Sequence, residues 1–276
     1  MTALTVLVRF LHEASLMALF GSALVLALLN TKVPELALES RVLMLGRRAA
    51  ALAALLSAPA WLALALMGRT GAGGPGALFV PLFAPRLLLL LALPLAVWRG
   101  KFRLTTILSG LTLILIAISS HTAGASPFGF WIFGTASDGL HLLTGGYWIG
   151  GLCVLAAILA QRAAAPRLVL AVSIFAEWGM IAVALLVMTG MINASMVLLG
   201  TPGHDAPAYL LVLGAKLALV AAMIGMALIN QYRLLPRLDR TESVIRMRRH
   251  VGWELGLGIV VIGLAMTLAA LPPTLQ

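Results

Sequence analysis

The chain has 276 residues, of which 62% are hydrophobic and only 10% are charged, and its mean hydropathy is +1.06. Soluble domains carry about a quarter charged residues, so the composition argues against a soluble enzyme or binding domain. The formal net charge of +10 does not indicate nucleic-acid binding, because the basic residues lie in short segments between apolar runs. The single cysteine, Cys153, excludes a disulfide framework.

Apolar segments, most of them about 20 residues long, alternate with short loops rich in glycine, proline or basic residues. A helix of about 20 residues crosses the ~30 Å hydrocarbon core of a bilayer. We therefore predict an all-α, polytopic membrane helix bundle of eight transmembrane helices, forming a single integral membrane domain over residues 1–276. The predicted spans are residues 6–29, 49–67, 78–98, 104–122, 137–160, 168–197, 208–230 and 251–271.

Lysine and arginine are concentrated in every second loop. The loops after the first, third, fifth and seventh segments hold fifteen of the nineteen basic residues. Because positively charged loops remain in the cytoplasm, we predict that both termini lie on the outer side of the membrane. The basic residues of these loops are Lys32, Arg41, Arg47, Arg48, Arg99, Lys101, Arg103, Arg162, Arg167, Arg233, Arg237, Arg240, Arg246, Arg248 and Arg249.

Several ionisable residues lie at membrane depth, where they are costly and usually functional. In the predicted topology, His12 and Glu13 lie in the outer part of the first span, and His121 lies at the outer end of the fourth. Asp138 and His141 lie one helical turn apart at the outer start of the fifth span, so they share a face. Three of the five histidines therefore reach one level from three different spans.

Three imidazoles at one level predict a metal site at the outer mouth of the bundle. His12, His121 and His141 are the predicted ligands, and Asp138 or Glu13 could bind the metal directly or orient an imidazole. Imidazole suits copper, zinc, iron and nickel, and the spacing alone does not choose among them.

Ordinary membrane roles compete with this interpretation. Each histidine alone could reach the outer headgroups, and Asp138 could be the counter-ion of Arg86 or Lys216. Met188 and Met191 share a helix face, and thioethers bind Cu(I), but methionine is also a common apolar filler.

Two acids and an aromatic residue could act at a distance from the histidines. Glu177, near the middle of the sixth span, and Glu254, near the inner end of the eighth, could relay protons or cations inward. Glu254 could instead pair with neighbouring arginines. Trp148 continues the face of Asp138 and could support the site from behind.

Packing features surround the predicted mouth. We predict that the aromatic stretch between His121 and Asp138 forms a lid or an interfacial belt. Gly146 and Gly150 form a small-xxx-small pair, which predicts a close approach of two helices.

An ordered set of motifs resembles the CopD family of copper resistance and copper transport membrane proteins. The set covers about residues 104 to 273, and His12 in the first span is also similar to the family. The motifs are His121-Thr122-Ala123, Asp138-Gly139-Leu140-His141-Leu142, Trp148-Ile149-Gly150-Gly151-Leu152, Leu186-Val187-Met188-Thr189-Gly190-Met191-Ile192-Asn193, Leu199-Gly200-Thr201-Pro202, Lys216-Leu217-Ala218-Leu219-Val220, Asn230, Leu235-Pro236-Arg237-Leu238, Arg248-Arg249-His250-Val251, Glu254 and Leu271-Pro272-Pro273.

The resemblance implies an eight-helix inner-membrane protein that accepts or moves copper, usually beside a periplasmic copper carrier of the CopC type. We therefore predict that the chain binds a copper ion at the periplasmic face and transports it towards the cytoplasm, in copper homeostasis. We predict no enzymatic activity. Nothing in the chain resembles a nucleotide-binding loop, so import would follow a gradient or couple to protons.

Two other functional classes remain open at this point. A single haem b electron-transfer protein could use two of the histidines as axial ligands. A non-transporting metal sensor or assembly factor could use the same histidines without moving copper across the membrane.

Overall fold

The computed structural model describes residues 3–32, 40–67, 80–119, 130–161, 165–200 and 207–269. Over these residues the chain forms eight α-helices, with a π-helical turn at Asn230–Leu234 and a 3-10 turn at Leu235–Arg237. The predicted all-α architecture is confirmed. The helices are α1 Ala3–Lys32, α2 Arg41–Leu66, α3 Phe83–Trp98, α4 Phe102–Ile118, α5 Phe130–Leu159, α6 Ala165–Gly200, α7 Pro207–Ile229 and α8 Thr241–Leu268.

Six helices, α1, α2, α5, α6, α7 and α8, are long and apolar enough to cross a membrane. The other two are apolar but shorter, with 16 residues in α3 and 17 in α4. At 1.5 Å per residue they extend only ~24–26 Å. The eight predicted spans thus correspond to six full-length helices and two shorter ones.

Three helices, α2, α5 and α8, begin seven to ten residues earlier than the hydropathy pattern predicts. α5 begins at Phe130, so Asp138 lies about two turns inside the helix, ~12 Å from its start, and the aromatic Phe133 belongs to a helix rather than to a loop. α8 begins at Thr241, because the basic run before residue 251 consists largely of good helix formers and continues the helix. This extension places His250 and Glu254 one helical turn apart on one face.

α1 is the central helix and packs against α2, α4 and α5. Leu16 and Leu19 of α1 belong to an apolar core with α2, α3 and α4. Leu26 and Leu29, further along α1, belong to a second core with α5, α6 and α8. One helix therefore joins two cores.

Glycines allow α1 and α5 to approach closely. A Cβ atom on Gly21 would overlap the carbonyl oxygen of Gly146, and a Cβ on Gly150 would lie 2.6 Å from the carbonyl oxygen of Ala18. Only hydrogen fits at these positions, so the predicted role of Gly146 and Gly150 in close helix packing is confirmed.

Consecutive helices run in opposite directions, so the bundle has two ends. Arg86 near the start of α3 contacts Ser119 just beyond α4, and Arg48 near the start of α2 lies over the ring of Trp98 at the end of α3. We call the end where α1, α3, α5 and α7 begin the histidine end. The basic end is the opposite one, where α2, α4, α6 and α8 begin.

Candidate metal-handling site

His12 of α1 is held by two acceptors on α2. Its Nδ1 lies 3.0 Å from the carbonyl oxygen of Ala54 and 3.0 Å from the hydroxyl oxygen of Ser57, and the side chain is only 1% exposed. A carbonyl oxygen only accepts, so the geometry assigns the proton to Nδ1 and leaves a lone pair on Nε2. That Nε2 is buried and has no hydrogen-bond partner among the described residues.

Aromatic and charged side chains surround His12. The imidazole and the ring of Trp61 lie 5.5 Å apart, centre to centre, at a tilt of 59°. The Arg9 guanidinium lies 5.4 Å from the centre of the same Trp61 ring. Arg9 also pairs with Glu13 at 3.4 Å between Nη2 and Oε1. Glu13 is 3% exposed, so this ion pair compensates a carboxylate that lipid and protein keep from water.

Arg86 brings a second guanidinium to the cluster from α3. It is 2% exposed, donates a hydrogen bond to the hydroxyl of Ser119 at 2.8 Å, and lies 5.6 Å from the centre of the Trp61 ring. Its charge is also attracted by Glu13. Arg86 therefore ties the ends of α3 and α4 to the His12 region of α1 and α2.

His141 of α5 is held by α6 in the same manner as His12 is held by α2. Its Nδ1 lies 3.0 Å from the hydroxyl oxygen of Thr189. Thr189 donates its own proton to the carbonyl oxygen of Leu185 at 2.7 Å, so it accepts from His141 and the lone pair again remains on Nε2. A Cβ on Gly190 would lie 3.3 Å from Cε1 of His141, so glycine leaves space for the ring.

Asp138 has partners on two other helices. Asn193 of α6 donates to its Oδ1 at 3.3 Å, and Lys216 of α7 attracts it electrostatically. The predicted pairing of Asp138 with Lys216 is therefore compatible with the structure.

The residues around the two histidines form one electrostatic neighbourhood. Glu13 on α1 and Asp138 on α5 are close enough to interact, which connects the His12 region with the His141 region. Three basic side chains face these two carboxylates: Arg9, Arg86 and Lys216. The carboxylates are thus already compensated, and neutral imidazole nitrogens are the better candidates for binding a cation.

The third predicted ligand, His121, lies outside the described residues, as does most of the aromatic stretch that follows it. In the part of the chain that the structure describes, no group of three or more His, Cys, Asp or Glu side chains could hold a metal ion. His12 and His141 lie on the packed helices α1 and α5, at the same end of the bundle. The convergence of three imidazoles stays a prediction.

The predicted supporting residues occupy different surroundings. Met188 and Met191 are 48% and 66% exposed on α6, and Glu177 on the same helix is exposed. Trp148 is buried, but it hydrogen-bonds Glu254 rather than a residue near His141. Of these five residues, only Trp148 and Glu254 contact each other.

Glu254 belongs to a second polar cluster, on α7 and α8. Asn230 donates to its Oε1 at 2.6 Å, and His250 Nδ1 lies 2.9 Å from Oδ1 of the same asparagine. Arg248 and Arg249, the neighbouring arginines predicted as alternative partners, are both exposed. The i, i+4 spacing of His250 and Glu254 was the sequence signal for this cluster, since both belong to one helix.

Sequence reasoning also missed the residues that orient the histidines. Ser57, Thr189 and Asn193 fix His12, His141 and Asp138. Small hydroxyl and amide side chains inside membrane helices more often bond their own backbone. Their roles became visible only with the helix pairing.

Two family models match the chain. The model for copper resistance protein D matches residues 169–268, and the model for the N-terminal domain of copper resistance protein D-like proteins matches residues 1–83. The first therefore covers α6 to α8 almost completely, and the second covers α1 and α2. No solved structure matches the chain significantly.

Two curated relatives are similar to the chain. Copper resistance protein D of Pseudomonas syringae pv. tomato is 29% identical over 203 residues, which covers 67% of this chain and 64% of the relative. Copper transport protein CutJ of Bacillus subtilis (strain 168) is 26% identical over 143 residues, or 51% of this chain and 26% of the relative. The chain thus spans less than two thirds of either relative. The two family models and these relatives place the chain in the copper resistance protein D (CopD) family.

Proposed function

We propose that this multi-pass membrane protein binds copper at the periplasmic face of the bacterial inner membrane and carries it towards the cytoplasm. The observation that supports it best is that His12 and His141 have the same hydrogen-bonding pattern. Each imidazole uses Nδ1 on a neighbouring helix, which leaves the Nε2 lone pair for a metal. The names of the relatives, copper resistance protein D and copper transport protein CutJ, favour copper as that metal.

In this proposal the ligands are imidazoles, and the carboxylates tune the charge. His12 and His141 bind copper through Nε2, and His121 completes the set from the segment that follows α4. Asp138 and Glu13 offset the positive charge that copper adds beside Arg86 and Lys216. Copper arrives from a periplasmic carrier of the CopC type, as the resemblance to the family implies.

The proposed direction of transport rests on the orientation of the bundle, which the distribution of charge supports. The basic end of the bundle carries the arginine-rich start of α8 and the turn between α3 and α4. Positively charged segments remain in the cytoplasm, so the histidine end faces the periplasm. Copper bound there enters from outside and moves towards the basic end.

Reconstitution of the full chain into sealed proteoliposomes tests the transport step. Copper is added outside, and a copper-specific chelator trapped inside reports delivery. The proposal expects delivery well above that of protein-free vesicles. Bound copper without delivery would instead support a sensor or assembly factor, and a Soret absorption band in the purified protein would support a haem protein.

A further inference from the structure

The second polar cluster surrounds a carboxyl that lacks a counter-charge. Glu254 is 1% exposed on a membrane-length helix. It accepts hydrogen bonds from Asn230 and Trp148, and among the described residues it has no basic partner within ion-pair distance. Two neutral donors orient a carboxylate but do not cancel its charge, and an uncompensated charge at this depth is costly. The site therefore requires either a proton or a bound cation, and the surrounding side chains decide between the two.

Gln231 supplies a second acceptor without a partner. Its Oε1 is buried and makes no hydrogen bond in the described part of the chain. The π-helical turn Asn230–Leu234 widens the helix at this point, and both Asn230 and Gln231 line one cavity with Glu254. Helical turns of this type are common at functional sites. A buried amide oxygen and a buried carboxylate thus lie around the same space.

The cavity has the size and lining of an ion site. It has a volume of about 70 Å³ and is also lined by Met247 of α8, which is fully buried, and by Met180 of α6, which is 44% exposed. Sites for organic ligands are usually ~300–1,000 Å³, so this space suits one ion with a few waters. Thioether sulfurs favour Cu(I) over harder cations, and a carboxylate balances its single charge.

The position of the cavity continues the path from the histidines. Trp148 follows His141 by about two turns of α5, ~10 Å towards the basic end. α6 packs against α5, and α7 packs against α8. In the described residues α6 and α7 hardly touch each other, and the cavity lies between α6 and the end of α7. The cavity therefore lies about two turns of α5 from His141, on the side of the basic end.

We infer that Glu254, Gln231 and the buried Met247 form a second Cu(I) site, in the half of the bundle nearer the basic end, with the partly exposed Met180 at its edge. The inference rests on the proposed function for the identity of the cargo. His250 acts as a positioning residue. Its Nδ1–H donates to Oδ1 of Asn230, which turns the asparagine NH2 towards Glu254.

Cu(I) titration of the purified full chain, under anaerobic conditions against a colorimetric chelator, tests the inference. The variant His12→Ala/His121→Ala/His141→Ala removes the proposed outer ligands and is expected to keep one bound Cu(I). Adding Glu254→Gln is expected to weaken that remaining site at least tenfold. Glu177→Gln, which neutralises an exposed carboxylate on α6, is the matched control and should change nothing.

Gln231→Leu separates a ligand from a structural residue. Replacing an unpaired buried oxygen by an apolar group should leave the thermal unfolding midpoint unchanged or higher, while Cu(I) affinity falls. Met247→Leu conserves volume and should also weaken Cu(I) binding, whereas Met188→Leu on the exposed face should not. X-ray absorption of the copper-loaded triple variant should show copper–sulfur scattering.

The titration distinguishes a failure of the outer site from a failure of the inner site. If the triple histidine variant loses one copper and Glu254→Gln loses none, the outer site stands and the inner site is overturned. If Glu254→Gln changes only the pH dependence of transport, with unchanged Cu(I) stoichiometry, Glu254 carries a proton and the inner site is also overturned. If Glu254→Gln loses one copper and the triple variant none, the inner site stands without the outer one.

Discussion

His141 and Thr189 meet across the contact between α5 and α6, with 3.0 Å between Nδ1 and Oγ1. The threonine proton is already donated to Leu185, so the pair fixes the imidazole tautomer as well as its orientation. Residues that orient a metal-binding imidazole typically change metal affinity 10–100-fold when they are removed. A residue on α6 is therefore expected to control copper binding without touching the metal.

Thr189→Val tests that control directly. Valine keeps the shape but removes the hydroxyl acceptor and leaves only the backbone of Leu186 as a partner, so the imidazole is held less firmly. We expect copper affinity to fall about tenfold, measured by titration against a competing chelator. Thr112→Val is the matched control, because Thr112 is equally buried and bonds only the carbonyl oxygen of Leu108 in its own helix. Equal losses in both variants would contradict the role of Thr189.

Gly150→Ala tests the close packing of α1 and α5. The added methyl group would meet the backbone of Ala18 and Ser22, and a backbone cannot rotate away as a side chain can. We expect a loss of about 1–3 kcal/mol, seen as a lower thermal unfolding midpoint in detergent.

Gly256→Ala is the control for that substitution. A Cβ on Gly256 meets no atom within 4 Å, and alanine is the better helix former by about 1 kcal/mol. Its midpoint should stay the same or rise. Equal midpoints for the Gly150 and Gly256 variants would show that α1 and α5 do not pack as described.

Single-cysteine labelling tests the orientation of the bundle. Cys153→Ser removes the only cysteine, and Ala3→Cys and Arg240→Cys then mark the starts of α1 and α8. With a membrane-impermeant maleimide added to spheroplasts, the first variant should react at once and the second only after permeabilisation, because basic segments stay in the cytoplasm. The reverse pattern would place the histidine end in the cytoplasm and invert the proposed direction.

The helices themselves were predictable, because long apolar runs in a bilayer leave the backbone few alternatives to helix. Helix ends were less so. α8 extends back to Thr241 through a run of arginines, which hydropathy scores as loop although arginine favours helix. α5 begins at Phe130, seven residues before the predicted span. Asp138 therefore lies about two turns inside the helix, whereas the hydropathy pattern placed it at the helix start.

The candidate ligands could be selected from the sequence, but their partners could not. His12 stood out as an ionisable group at membrane depth, whereas its acceptor Ala54 has no side-chain signal at all. The link between Trp148 and Glu254 joins two helices that are far apart in the chain. Such contacts depend on which helix faces pack together, and hydropathy carries no information about that.

The proposed transport depends on imidazoles at the histidine end, which bind the copper that is transported. The most direct measurement is copper delivery into proteoliposomes by the wild type, His12→Ala and His141→Ala at equal protein content, each with its copper-binding stoichiometry. Both variants are expected to bind less copper and to deliver at least tenfold less of it, while Met188→Leu is expected to behave as the wild type. Unchanged binding and delivery in both histidine variants would contradict it.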